Sequence, residues 1–225
     1  MIQPKRLQFE ASKSSGPVSA LLLRPDNAKW LYVFGHGAGA GMEHKFMEAM
    51  AQQLAEVGIA TLRYNFPYME QGRRSPSAPG ISMATVRSAV AKAREEADDL
   101  SLLAGGKSYG GRMTSQAAAK EPLEGVKGLV FLGFPLHAPG RPGSERGAHL
   151  HDVTVPMLFL QGTRDKLADL TLLKPLLKEV GPKASLQEVE GGDHSFKVLK
   201  SAGRSEEEVM KEMAEKMKDW AENTR

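Results

Sequence analysis

At 225 residues, with 41% hydrophobic and 25% charged positions, the chain has an ordinary globular balance, and residues 1–225 are expected to form a single domain with a sizeable core. A net charge of +3, with 30 Lys and Arg scattered among 27 acids, argues against nucleic acid as a partner. The lack of cysteine excludes disulfides, thiolate metal sites and a cysteine nucleophile.

Residues 6–10 and 18–23 alternate around a Ser/Gly/Pro turn at 12–17, which reads as a β-hairpin opening a sheet. Residues 30–34 are continuously apolar, as in a buried strand, and run into Gly35-His36-Gly37-Ala38-Gly39-Ala40-Gly41. Phe46, Met50, Leu54 and Val57 recur at helical spacing before Gly58, and a strand follows at 59–64. Residues 67–80, rich in Pro, Gly and Arg, read as a surface loop, and 82–96 as helix. A short apolar strand at 100–103 enters Gly105-Gly106-Lys107-Ser108-Tyr109-Gly110-Gly111, ahead of an alanine-rich helix. Strands are expected at 126–132, 155–160 and 185–189, with a leucine-rich helix at 170–180 whose Pro175 blurs its start. Ser205 with Glu208 forms a capping box for the closing helix, which should bury Val209, Met213, Met217 and Trp220. Strand and helix alternate, so the fold class is α/β, with a mostly parallel central sheet covered on both faces.

Gly106-Lys107-Ser108-Tyr109-Gly110 fits G-x-S-x-G and lies where a strand turns into a helix. A serine at the tip of so sharp a turn needs neighbours without side chains two residues away on each side, so that strand and helix can approach. Two rival readings of the glycines fail on spacing. A phosphate-binding loop needs a glycine where Ser101 stands, and no acid ends the strand at 59–64, as a dinucleotide site would require.

A serine hydroxyl becomes a nucleophile when an imidazole takes its proton and a carboxylate orients that imidazole. Asp165, in Gln161-Gly162-Thr163-Arg164-Asp165, and His194, in Gly191-Gly192-Asp193-His194, follow later strands in the order serine, acid, histidine. His137, His149 and His151 precede the acid, and His36 and His44 precede the serine. His36 is expected to brace its own loop, His44 to be solvated and Asp169 to start a helix. Asp193 would have to double back to orient His194. The backbone N–H groups of Tyr109 and Ala38, with Gly39 as the alternative to Ala38, are the expected oxyanion donors. No cofactor or metal is implied, since the histidines show no H-E-x-x-H or similar ligand spacing.

On these residues the sequence resembles the α/β-hydrolase superfamily over nearly its whole length. More narrowly, it is similar to the small dienelactone-hydrolase-like branch that includes testis-expressed protein 30. The motifs that carry this are Gly35-His36-Gly37-Ala38-Gly39, Phe66-Pro67-Tyr68-Met69, Gly106-Lys107-Ser108-Tyr109-Gly110-Gly111-Arg112, Pro135-Leu136-His137-Ala138-Pro139-Gly140, Gln161-Gly162-Thr163-Arg164-Asp165 and Gly192-Asp193-His194. The resemblance implies an α/β-hydrolase fold and a Ser108, Asp165, His194 triad, but little about substrate. Authentic dienelactone hydrolases use cysteine where this chain has Ser108, which argues against that specificity. Caps of the superfamily usually enter between the strands at 126–132 and 155–160, where this chain is too short for a helical lid.

An open, shallow site and a small-molecule ester or thioester substrate are therefore expected. Arg73 and Arg74, with His137 and Arg141, lie on loops able to border the site and favour an anionic substrate. An acyltransferase, or an interaction scaffold without turnover, would carry the same residues. No run approaches 18 apolar residues, and the first thirty, with Lys5, Arg6, Glu10 and Lys13, hold no signal-like apolar core. A cytoplasmic protein without a membrane partner is expected. Oligomeric state is not legible.

Overall fold

In the computed structural model, which describes residues 2–199, 201 and 203–224, eight strands form one sheet in the order β1-β2-β4-β3-β5-β6-β7-β8. The strands β1 (Lys5–Ser12) and β2 (Gly16–Leu23) make the antiparallel hairpin expected from their alternation, and β2 also pairs antiparallel with β4 (Ile59–Tyr64). From β4 onward every pairing is parallel, through β3 (Trp30–Gly35), β5 (Ser101–Lys107), β6 (Val126–Leu132), β7 (Met157–Gly162) and β8 (Ala184–Val189).

The central strands are apolar at successive positions because both of their faces are covered. Leu31, Val33, Leu129, Phe131 and Phe159 point to one core, packed under α3 (Pro79–Glu96), α4 (Tyr109–Lys120) and α5 (Leu170–Val180). Trp30, Tyr32, Phe34, Val130, Leu132, Leu158 and Leu160 alternate onto the other, beneath α1 (Lys45–Glu56) and α6 (Glu206–Asn223). This is the period-two alternation of strand side chains, read on both sides at once. The capping box at Ser205 and Glu208 is formed, and Val209, Met213 and Met217 are fully buried.

Boundaries at α3, β5 and β7 differ from the sequence reading, β7 spanning Met157–Gly162 rather than 155–160, whereas α5 has the expected bounds. Residues 67–80 are not all loop: Pro67–Glu70 is a short helix, α2, with Tyr68 buried, and α3 begins at Pro79, a residue suited to the first helical position because its missing N–H has no partner to lose. β5 runs four residues past Leu103, into the glycines, because those glycines meet backbone: a Cβ on Gly105 would be driven into the Val130 carbonyl and lie 2.9 Å from the Tyr32 hydroxyl. Pro175 sits within α5 and does not displace its start, which Asp169 caps by accepting from the Thr171 amide at 2.8 Å. Among the described residues no helix is long and apolar enough to cross a membrane.

The strand order reverses about β3, with β4 on one side and β5 on the other. The loops leaving the carboxyl ends of β3 and β5 therefore diverge and open a crevice, the usual ligand position in an open parallel sheet.

Candidate active site

Ser108 joins β5 to α4 with φ 49° and ψ −111°, a left-handed conformation that costs a non-glycine residue about 1–3 kcal/mol. Glycines enforce the turn. A Cβ on Gly106 would lie 2.7 Å from the Gly110 carbonyl carbon, and one on Gly110 would strike the Gly35 carbonyl and come within 2.8 Å of the His36 oxygen. The Ser108 amide is fixed to the Leu132 carbonyl at 3.0 Å, and its own carbonyl accepts from Arg112 at 3.0 Å. The hydroxyl thus stands at the mouth of the crevice, at the amino end of α4.

The two partners named from the sequence converge on it. His194 Nε2 lies 2.8 Å from Ser108 Oγ, and His194 Nδ1 lies 2.8 Å from Asp165 Oδ2. Asp165 is shut away, with no side-chain exposure, and its other contacts are donors: the Leu167 amide reaches Oδ1 at 2.8 Å and Gln161 Nε2 reaches Oδ2 at 2.6 Å. A buried carboxylate so satisfied favours the Nδ1–H tautomer, which leaves Nε2 free to accept the serine proton. The loops bearing acid and base touch through glycine, since a Cβ at Gly162 would meet the Gly192 backbone. Asp193 does not orient His194. Its Oδ1 accepts from the Ser195 and Lys197 amides at 2.7 and 3.0 Å and shapes the turn that carries the histidine.

The loop after β3 lies alongside, with the Cβ position of Gly37 4.0 Å from Ser108 Cβ. The two alternatives for the amide donor differ in their hydrogen bonding. The Gly39 N–H is given to the Tyr68 hydroxyl at 3.3 Å, whereas among the described residues the Ala38 and Tyr109 amides donate to no protein acceptor. His36 braces this loop, as its position suggested. It is fully buried, with Nδ1 2.7 Å from the Gly37 carbonyl and Nε2 accepting from the Phe66 amide at 3.1 Å, and burial pushes its pKa down to about 4, so it is neutral.

His44 is exposed and accepts from the Phe46 amide at the start of α1. His137 is not a substrate-facing group: Nε2 accepts from the Asp169 amide at 3.0 Å and the buried ring ties the loop after β6 to the acid loop. Arg73, Arg74 and Arg141 are exposed, and none of them lines the groove beside Ser108. The segment between β6 and β7 carries only a 3-10 helix, Glu145–Asp152, which packs on α4 and α5 rather than over the serine.

The site is open but not merely shallow. A groove of about 640 Å³ leads from Ser108 and His194 between the first turns of α1 and α6, walled by Phe46, Met47, Leu167 and Met210, with Lys45, Lys197 and Glu206 at its rim. No sequence motif announced this groove, because its walls come from two helices far apart in the chain. Lys107 was also missed as a functional candidate. It is a buried amine beside Ser108, and its signal is a lysine inside G-x-S-x-G at the end of an otherwise apolar strand. Among the described residues no group of three or more His, Asp or Glu is placed to hold a metal ion.

A family model described as an alpha/beta hydrolase domain matches residues 28–222. Among solved structures, a serine hydrolase without a lid from Xanthomonas campestris superposes with a TM-score of 0.75 at 20% identity, over 97% of this chain and 95% of its own. Dienelactone hydrolase from Anabaena variabilis gives 0.72 at 20% identity over 97% of each chain, and Est1E from Butyrivibrio proteoclasticus 0.70 at 16% over 97% and 98%. At such identities the likeness speaks for the fold. A Mycobacterium tuberculosis protein provisionally named a phosphoribosyl transferase is 28% identical over 184 residues, and the chain spans about 40% of that relative's length. The narrower likeness to testis-expressed protein 30 rests on the motifs alone. The matched family model covers most of the chain, including all three residues of the hydrogen-bonded series, and the chain belongs to the alpha/beta hydrolase family.

Proposed function

We propose that the protein is a serine hydrolase that cleaves a small carboxylic ester or thioester through an acyl-enzyme on Ser108. The observation that carries this reading is the unbroken series from Asp165 through His194 to Ser108, two contacts of 2.8 Å, at the carboxyl end of the sheet.

In this reading His194 Nε2 takes the hydroxyl proton as Ser108 Oγ attacks the acyl carbon. The carbonyl oxygen gains charge and is met by the Ala38 and Tyr109 amides, with the amino end of α4 directed at it. The imidazolium, held by Asp165, returns its proton to the departing alcohol or thiol. Water then enters, gives a proton to His194, and the acid leaves as Ser108 recovers its hydrogen. Phe46, Met47, Leu167 and Met210 offer the acyl group an apolar wall of modest length. Transfer to an acceptor other than water would share the first half of this sequence.

A fluorophosphonate probe tests the assignment directly. Labelling is expected for the wild type, absent for Ser108→Ala and reduced about 1,000-fold or more for His194→Ala, since triad members act as a unit. Folded wild-type protein that takes no label would favour a scaffold without turnover. A panel of short-chain esters and thioesters, assayed against Ser108→Ala with and without added alcohol, separates hydrolysis from acyl transfer.

A further inference from the structure

Lys107 stands between Gly106 and Ser108, and the reaction outlined above does not use it. It is 9% exposed, with its stem against the oxyanion loop, where a Cβ on Gly37 would lie 3.8 Å from Lys107 Cγ. Its ammonium donates to the backbone carbonyl of His194 at 2.6 Å. It also lies over the rings of Phe46 and Phe196, 5.9 and 5.4 Å from their centroids, and those two rings stack on each other.

The surroundings are shaped for this contact. Gly133 has φ 67°, and a Cβ there would lie 3.1 Å from Lys107 Nζ, a tight approach to the ammonium. Phe196, two residues after His194, holds φ 61°, a strained value for an aromatic residue, and its ring is thereby turned under the ammonium. Among the described residues Lys107 makes no ion pair within 4.0 Å. A buried ammonium without a carboxylate partner costs stability that an apolar side chain of similar length would not. Its presence calls for a task that methionine could not perform.

We propose that Lys107 is a positioning residue that holds the histidine loop in register with the nucleophile, a role that rests on the serine hydrolase reading. The strand that ends in Ser108 presents, one residue earlier, the group that grips the His194 carbonyl. Imidazole and hydroxyl are thus referenced to the same strand end, and the gap between Nε2 and Oγ is kept while the proton moves back and forth. Charge strengthens the grip, both on the carbonyl and on the two rings.

Around Lys107 stand Asp165 on the loop after β7 and Asp193 and His194 on the loop after β8, while His44, Lys45, Lys197 and Glu206 line the groove. Burial pushes the amine down to about 8, against the pull of Asp165 and then Asp193. The grip is therefore charge-assisted at neutral pH and weakens above about 8.

The test compares wild type, Lys107→Met and Lys107→Arg from pH 6 to 10, reading the fluorophosphonate labelling rate together with kcat and KM on p-nitrophenyl acetate. The wild-type rate should fall with a midpoint near pH 8. Lys107→Met should lose about 100-fold in kcat at pH 7 with KM within about twofold, the scale of a misplaced catalytic group, and should lack the alkaline fall. Lys107→Arg, charged throughout, should recover at least about tenfold over methionine and keep its rate to pH 10. Folded Lys107→Met with wild-type kcat overturns the proposal, as does an alkaline fall that persists unchanged in Lys107→Arg. If Lys107→Met does not fold, the wild-type and arginine profiles decide. A wild type that labels and turns over at no pH overturns the serine hydrolase reading, and the role of Lys107 with it.

Discussion

The turn that carries the serine and the turn that carries the histidine reach the same point by different means. Around Ser108 backbone packs on backbone: Gly106 and Gly110 lie so close to Gly35 and His36 that a single methyl group would collide with main chain. Around His194 side chains add to such packing, which there joins Gly162 to Gly192: Asp193, in the same turn, accepts two amides, Lys107 donates to a carbonyl and Thr163 Oγ1 accepts from the Gly191 amide at 2.9 Å. The first device leaves a fixed spacing of glycines in the sequence. The second leaves scattered residues whose relation exists only in space. A serine held by backbone cannot adjust, whereas a histidine held partly by side chains can be tuned by one substitution at a time.

This contrast can be broken most severely at Gly110. Gly110→Ala places a methyl group against the Gly35 carbonyl, which has no side chain to move aside, and should cost about 3 kcal/mol or more with loss of fluorophosphonate labelling. Urea unfolding would read the first effect. An alanine variant that labels at the wild-type rate would show that the elbow is less rigid than its packing implies.

The loop after β3 tests an intermediate case, since a buried neutral histidine holds it. The pKa of His36 is depressed in the fold to about 4, so its contribution is fully present above the unfolded value near 6.5 and is lost as pH falls through about 4. About 3 kcal/mol should disappear across that window from this group. A wild type and a His36→Asn variant of equal pH dependence in urea titrations would refute the assignment. The smallest effect is expected at Asp193. Asp193→Ala removes a half-buried acceptor of two amides and should cost about 1 kcal/mol, with kcat lowered several-fold and KM little changed. A loss of labelling as deep as that of Gly110→Ala would mean that both turns are equally rigid.

The same contrast governs what could be read in advance. Strands β3, β6 and β7 are legible because burial on both faces makes them largely apolar runs, and Ser108, Asp165 and His194 because each follows a strand amid glycine. The end of β5 was misjudged, since glycines that usually signal a turn are here required inside a strand by contact with Val130 and Tyr32. Pro67 and Pro79 suggested loop but are initial residues of helices. The groove was beyond reach, because Phe46 and Met210 lie far apart in the chain and meet only when α1 packs on α6. In the sequence Lys107 stands only as the variable residue of G-x-S-x-G, and its burial is what gives it another meaning.

The last helix serves two masters. Val209, Met213, Met217 and Ala221 anchor α6 in the interior, while Glu206 at its start and Met210 one turn on face the groove. The interior stripe locks the helix in rotation, so the two groove residues cannot drift. If the protein is the hydrolase proposed, enlarging or shrinking Met210 would therefore reset the length of chain its groove accepts, as a ruler is recut at one mark, while the stripe that keeps the protein folded stays in place.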